Sequence, residues 1–258
     1  MAVWARTSDP GEFHVRYGTN PNELKESSEP ATTVIDHDNT GVANLKNLKS
    51  DTKYFYQIQV KDRPHGLPGS FRTLPAAEDT RNTEHNPDGL FNFRFQIGSC
   101  ANQNPLHGSG HRATTYEHLN RDWADRVHFH IMNGDWLYEE LREHPPEAWR
   151  LTQGIAQFPL SVQVMPTIVG VWENYRLYLS RGVELAKWHR HMPSYFTFDD
   201  HELVNDIWGS SEAGKRHRRT GNDRTQQQTK ERIQHTSSDG NASYVIDKGS
   251  QEVLFDIA

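Results

Sequence analysis

The chain has 258 residues, with 28 Lys and Arg against 34 Asp and Glu, which gives a formal net charge of -6. This balance and a pI near 6.2 do not support general nucleic-acid binding. The mean hydropathy of -0.86 is low, and no apolar run in the sequence is long enough to span a membrane. The single cysteine excludes an intrachain disulfide.

The first 75 residues contain short alternating runs separated by Gly, Pro, Asn and Asp, which predicts an all-β sandwich. Residues 48–56 resemble the tyrosine corner of fibronectin type III domains, where an aromatic hydroxyl closes a loop onto the backbone. The first strand of such a domain would lie before Met1, and residues 252–258 also stop inside a predicted strand. We therefore expect the chain to be a piece of a longer protein. The predicted strands are 3–7, 12–17, 32–36, 41–45, 53–60 and 69–75.

Residues 76–89 are polar and aperiodic, which predicts a linker. From residue 90 the order of strands and helices predicts an α/β layered domain that extends to residue 258. Residues 220–243 have the composition of a disordered segment, and 242–257 predict a hairpin. Between residues 90 and 220 the predicted elements are a strand ending at 97, a helix at 113–125, a strand at 127–132, a long helix at 172–192 and a strand at 194–198.

Polar side chains follow three of these strands at the points where the strands end. Cys100 follows the first, Asp135 and Tyr138 follow the second, and the run Asp-Asp-His-Glu at 199–202 follows the third. Layered α/β proteins place catalytic groups at this edge, and oxygen and nitrogen ligands suit hard cations. The pattern predicts a metal-dependent hydrolase site.

Each of these residues has a structural alternative. Cys100 can be an inert small side chain, and Tyr138 can belong to the core. Gly-Asp at 134–135 is common in turns, and Asp200 can cap a helix that begins near residue 201. The concentration of acidic, imidazole and amide groups within residues 199–206 favours a metal-binding or catalytic role for Asp200.

Other motifs are weaker or missing. His128 and His130 share one face of the predicted strand, where they either line a site or face solvent. The nucleophile-elbow pattern and a Walker-type loop are both absent from the sequence. Serine hydrolase and nucleoside-triphosphatase activities therefore have no support.

Taken together, the motifs resemble those of the alkaline phosphatase D (PhoD-like) metallophosphatases over about residues 2–219. The resemblance implies hydrolysis of phosphate monoesters or diesters at a ferric and calcium centre. It also implies a fold in which the fibronectin-like domain precedes a metallophosphatase β-sandwich flanked by helices, here incomplete at its C-terminus. The segments that carry the resemblance are 98–100, 134–139, 172–178, 198–202 and 205–206.

The resemblance implies five metal ligands, which are Cys100, Asp135, Tyr138, Asp200 and Asn205. In this set Cys100 and Tyr138 are similar to iron ligands, Asp135 to the bridging carboxylate and Asp200 to a ligand of the second metal. The resemblance places His201 where it can orient or protonate a phosphate oxygen. Two cations bridged by a carboxylate would clamp the phosphate and polarise the attacking water.

Further ligands of the family are expected beyond Ala258, which leaves other hypotheses open. The chain can be a non-catalytic fragment or binding module with a degenerate half-site, or a chimeric reading frame without a stable fold. Bound metal would separate the metallophosphatase hypothesis from the fragment or binding-module hypothesis. Cooperative unfolding would separate both of them from a chimeric reading frame. The expected partners are a phosphate ester and another chain that completes the fold. The resemblance implies an extracellular or periplasmic location, although the N-terminal residues show no signal-peptide pattern.

Overall fold

The computed structural model describes residues 1–90, 93–106, 108–138, 140–141, 143–197 and 199–202. A sheet-rich region at the N-terminus precedes an α/β region. The predictions for the polar segment 220–243 and the hairpin at 242–257 lie outside the described residues. Within the described ranges, no helix has the length and apolar character needed to cross a membrane.

The N-terminal region is built from antiparallel strand pairs. One sheet has the order β3-β2-β6-β7 with β4 beside β2, while β1 and β5 form a separate pair. Alternate side chains of β2, namely Phe13, Val15 and Tyr17, are buried in a common core, as the period of a strand requires. The strands are β1 (Ala2–Arg6), β2 (Gly11–Gly18), β3 (Glu26–Ser27), β4 (Ala31–Thr33), β5 (Thr40–Asn44), β6 (Lys53–Val60) and β7 (Arg63–Arg72).

Two local features of this region bear on the sequence predictions. The buried Tyr54 accepts a hydrogen bond at its hydroxyl from the Lys49 amide at 2.9 Å, as expected of a tyrosine corner. The strand predicted at 32–36 instead ends at Thr33. A 3₁₀ turn at Ile35–His37 replaces its second half and closes on Asp38, whose backbone is left-handed with φ 54°.

The α/β region is centred on three parallel strands, β8 (Phe95–Gly98), β9 (Phe129–Asn133) and β10 (Ser194–Thr197), in the order β10-β9-β8. The helix predicted at 113–125 is present as a short α-helix that continues into a π turn at Leu119–Trp123. The helices at 146–152 and 160–164 were not predicted. The helices are α1 (Ala77–Thr80), α2 (Thr114–His118), α3 (Pro146–Thr152), α4 (Leu160–Val164), α5 (Ile168–Arg181) and α6 (Val183–His191).

The single long helix predicted at 172–192 is wrong, because α5 and α6 are separated at Gly182. A Cβ atom at Gly182 would lie 2.6 Å from the Gln103 side-chain nitrogen and 2.7 Å from the Tyr178 carbonyl oxygen. Gln103 also donates a hydrogen bond to that carbonyl at 3.1 Å, beside the one that the carbonyl accepts from the Gly182 amide at 2.9 Å. A side chain from a distant loop therefore packs directly against the break.

His130 was predicted to line a site or face solvent, and it does neither. It is 1% exposed in the core of the α/β region, packed among the rings of Tyr116, Trp188 and His189. Within the described residues neither of its ring nitrogens has a hydrogen-bond partner. Burial lowers the pKa of His130 to about 4 and lowers the pKa of His189 well below its ordinary value.

The N-terminal region packs directly against the helices of the α/β region. The buried Tyr56 donates a hydrogen bond from its hydroxyl to the Arg190 carbonyl of α6 at 3.0 Å. This ring lies across Gly69 of β7, where an added Cβ would be 2.2 Å from it. Next to it, the Ser70 hydroxyl lies 3.0 Å from Nδ1 of His191.

A buried carboxylate, Asp38, forms a second connection between the two regions. It accepts hydrogen bonds from Arg6 of β1 at 2.9 and 3.2 Å and from Arg176 of α5 at 2.7 and 3.2 Å. Its side chain is 6% exposed, so these charge-assisted bonds are shielded from water. Asp38 therefore fixes α5 against the edge of the N-terminal region.

We expect Asp38→Asn to lower the free energy of unfolding by about 2 kcal/mol, because two arginines lose a buried counter-charge. Asn tolerates the left-handed backbone at this position, so the effect isolates the charge. The control is Asp62→Asn, which also changes a left-handed Asp, but one whose side chain is 94% exposed. Urea unfolding of both variants is the measurement, and equal effects would contradict a special role for Asp38.

We also expect stability to fall as the pH drops from 6.5 towards 4. In that window the unfolded chain protonates the imidazole of His130 while the folded chain keeps it neutral, so protonation favours unfolding. The shift corresponds to a loss of up to about 3 kcal/mol from this residue. His130→Leu should make the unfolding free energy depend less steeply on pH, with the remaining slope coming from His189, and His65→Leu at an exposed position should leave the slope unchanged. A slope in His130→Leu equal to that of the wild type would refute the assignment.

Candidate metal centre

The three parallel strands end at the same edge of their sheet. In the register, Gly98 of β8 pairs with Met132 of β9, and Asn133 pairs with Thr197 of β10. The segments that follow the three strands therefore leave the sheet side by side. Four of the predicted site residues, Cys100, Asp135, Tyr138 and His201, lie on the described parts of these segments and not on the α-helices.

The side chains of Cys100 and Tyr138 both contact one carboxylate oxygen of Asp135. The Cys100 thiol lies 3.3 Å from Oδ2 of Asp135, and the Tyr138 hydroxyl lies 3.4 Å from the same atom. The residue Asp135 is 8% exposed, and its other oxygen, Oδ1, is buried without a hydrogen-bond partner in the described part of the chain. A buried carboxylate oxygen of this kind is costly unless a ligand satisfies it.

The backbone at both strand ends adopts an uncommon conformation. Cys100 has φ 58° and Asp135 has φ 55°, both in the left-handed region that costs a residue other than glycine about 1–2 kcal/mol. The Cys100 amide donates to the Gly134 carbonyl at 3.3 Å, and the Ala101 amide donates to the Asp135 carbonyl at 2.9 Å. These bonds hold the two loops together, and such strain clusters at functional sites.

Electrostatics at the cluster disfavour further negative charge. The half-buried Tyr138 has its pKa raised well above the usual range, mainly by burial and then by its contacts with Cys100 and Asp135. No Lys or Arg of the described residues forms an ion pair with Asp135. A bound cation would reverse this balance by stabilising a thiolate and a phenolate.

His201 lies beside the cluster through its contact with Tyr138. The two ring centroids are 4.0 Å apart with an interplanar angle of 33°. His201 belongs to the 3₁₀ turn Asp200–Glu202, which follows β10. The side chain of Asp200 and all of Asn205 lie outside the described part of the chain.

Glu202 has a role that the sequence did not reveal. It is 5% exposed, and its two oxygens accept hydrogen bonds from four backbone amides, those of Asp135, Trp136, Leu137 and Asp199. Its pKa is raised by burial, although the four amides act in the opposite direction. In the sequence analysis Glu202 was only one member of the polar run at 199–202, whereas in the structure its carboxylate is directed at the backbone of the Asp135 loop.

The donor set fits a ferric ion even though it is incomplete in the described residues. Those residues contain no group of three or more His, Cys, Asp and Glu side chains placed to hold a metal. Cys100 and Asp135 supply two such donors, and Tyr138 adds a phenol. Thiolate, carboxylate and phenolate together, with Oδ1 of Asp135 lacking a partner, form a partial coordination set for a highly charged cation.

Comparison with known proteins identifies the family of the chain. A family profile described as PhoD-like phosphatase matches residues 95–237, which include all three strand ends. None of the curated proteins is similar enough in sequence to count as a match. The solved structure described as "Structure of PhoD" is similar with a TM-score of 0.54 and 14% identity, over 91% of this chain and 42% of that chain. That likeness shows a shared fold, and this chain spans less than half of the solved one.

Proposed function

The chain belongs to the PhoD-like phosphatase family, and on that premise we propose that it carries part of the metal centre of a phosphate-ester hydrolase. The observation that supports this most is the meeting of Cys100 and Tyr138 at one oxygen of Asp135, whose other oxygen lacks a partner. Nothing in the packing of a core requires a thiol, a carboxylate and a phenol to converge at an accessible sheet edge.

The proposed cofactors are Fe³⁺ and Ca²⁺. Cys100, Asp135 and Tyr138 would hold the iron, and Asp200 and Asn205 remain the candidates for the calcium side. When bound, the two cations would supply Lewis-acid activation of a water molecule and neutralise charge on the phosphate. Cys100 is exposed, so the cluster is open to a ligand arriving from solvent.

Asp135, Tyr138 and His201 would then each have a separate role in the reaction. The Asp135 carboxylate would help to hold the cations, whose positive charge it would offset. The Tyr138 ring contacts the His201 ring with centroids 4.0 Å apart, and this contact would hold the imidazole beside a phosphate oxygen. His201 would donate a hydrogen bond or a proton to that oxygen, or to the leaving group. Monoesters and diesters are both proposed as substrates.

The organisation of the whole chain is proposed along the same lines. Residues 1–75 would form a fibronectin type III-like sandwich, which the antiparallel strands and the Tyr54 hydrogen bond support. Residues 76–89 would connect it to a partial metallophosphatase domain at 90–258. The extracellular or periplasmic location proposed for the protein rests on the family resemblance.

We expect the purified protein to bind about one Fe³⁺ per chain and to show a visible charge-transfer band from the phenolate and thiolate. Tyr138→Phe should abolish or shift this band, because it removes the hydroxyl while keeping the ring stacked on His201. The control is Tyr195→Phe, the same change on an exposed ring that contacts Phe129. The measurements are the iron content and the visible absorption spectrum of the wild type and of both variants. A colourless, metal-free protein would leave the fragment or binding-module hypothesis.

Because Cys100 is the only cysteine and is exposed, its alkylation reports directly on the site. We expect a redox-inert trivalent ion such as Ga³⁺ to slow alkylation by at least about tenfold, since a coordinated thiolate is a poorer nucleophile. Asp135→Asn should remove the protection. Hydrolysis of 4-nitrophenyl phosphate and bis(4-nitrophenyl) phosphate with added Ca²⁺ then tests turnover. Protection that persists in Asp135→Asn would show that the ion binds elsewhere.

A further inference from the structure

Glu202 is the residue through which two of the three site loops are joined. Oε1 accepts the amides of Trp136 at 2.5 Å and Leu137 at 3.3 Å, and Oε2 accepts those of Asp135 at 2.9 Å and Asp199 at 2.8 Å. Three of these amides belong to the loop after β9. The fourth belongs to the segment after β10, which also carries Glu202 itself.

The shape of the β9 loop explains why a carboxylate is needed here. Gly134 has φ 79° and Asp135 has φ 55°, so two successive residues are left-handed. The amides that follow them converge on one point, a backbone arrangement that binds anions. Glu202 places its anion there within the buried interior, where water does not compete.

The same contacts argue against two other roles for Glu202. Each oxygen already accepts two amide hydrogen bonds, so the carboxylate has little capacity left to coordinate a cation. A purely space-filling role would not need three directed bonds to a loop that lies 65 to 67 residues away in sequence. The contacts instead set the position of Asp135 relative to His201.

We propose that Glu202 is a positioning residue for the metal centre, which holds the backbone of Asp135 and its neighbours so that the Asp135 carboxylate meets Cys100 and Tyr138. This inference rests on the proposed function. Partners that orient ligands without touching the metal commonly change metal affinity by about 10- to 100-fold when they are altered.

The test compares Glu202→Gln with Glu184→Gln. The Gln side chain at position 202 has the size of Glu, but its NH₂ group would face amides that need an acceptor. Glu184 is a partly buried glutamate on α6 that accepts a hydrogen bond from the Asn120 side chain at 2.8 Å, away from the site. We expect iron to bind Glu202→Gln at least about tenfold more weakly, with a shifted charge-transfer band, and Glu184→Gln to match the wild type.

A second readout uses no metal. In the metal-free protein, NMR amide exchange at Asp135, Trp136, Leu137 and Asp199 should accelerate at least about tenfold in Glu202→Gln, while that of Ile131 in β9 should not. Equal acceleration in β9 would make Glu202 a general stabiliser and overturn the proposal. Wild-type exchange, or wild-type iron affinity, in Glu202→Gln would also overturn it.

The two readouts keep this inference separate from the proposed function. If the wild-type protein binds no iron, the proposed function fails, whereas the amide exchange still shows whether Glu202 holds the Asp135 loop. If Glu202→Gln does not fold, Glu202→Asp takes its place, since it keeps the charge and shortens the reach by one methylene. Compared with the wild type, Glu202→Asp should show faster amide exchange at the four contacted residues and weaker iron binding. Wild-type values for both would overturn the proposal.

Discussion

The parallel register of the three central strands is the constraint on which the site depends. Because β8, β9 and β10 run in one direction and end level with one another, their following segments share a small volume. Residues separated by as many as 67 positions are then joined by hydrogen bonds at the site, as the Asp135 amide and the Glu202 carboxylate are. Any change that slips this register would separate Cys100 from Asp135, even if every side chain were retained.

The sequence indicated which strand-end side chains come together better than it indicated where the helices end. Cys100, Asp135 and Tyr138 were singled out as candidates because each follows a strand and belongs to a motif that resembles the family, and the profile match confirms that family. The amide contacts of Glu202 were not foreseen. They depend on left-handed backbone at Asp135, which no residue-type pattern specifies.

Other errors have the same origin in tertiary contacts. The apolar spacing of 172–192 is helical throughout, but the packing of Gln103 against Gly182 interrupts it. His130 alternates with hydrophobic neighbours in a way that fits either face of a sheet. Only the helix packed beneath it determines that the imidazole is buried. Local periodicity specified the type of element, whereas its ends and its buried face were decided by distant residues.

The absence of a side chain at Gly69 has a consequence for inherited variation. Tyr56 can reach the Arg190 carbonyl only because its ring lies flat across this glycine. Substitution by alanine, which looks conservative in an antiparallel strand, would push the ring away and tilt α6 against the N-terminal sheet. Natural variation should therefore be tolerated less at Gly69 than at its neighbours in β7, although Gly69 is not part of the candidate metal centre. Its sensitivity would reflect how the two halves of the chain are aligned.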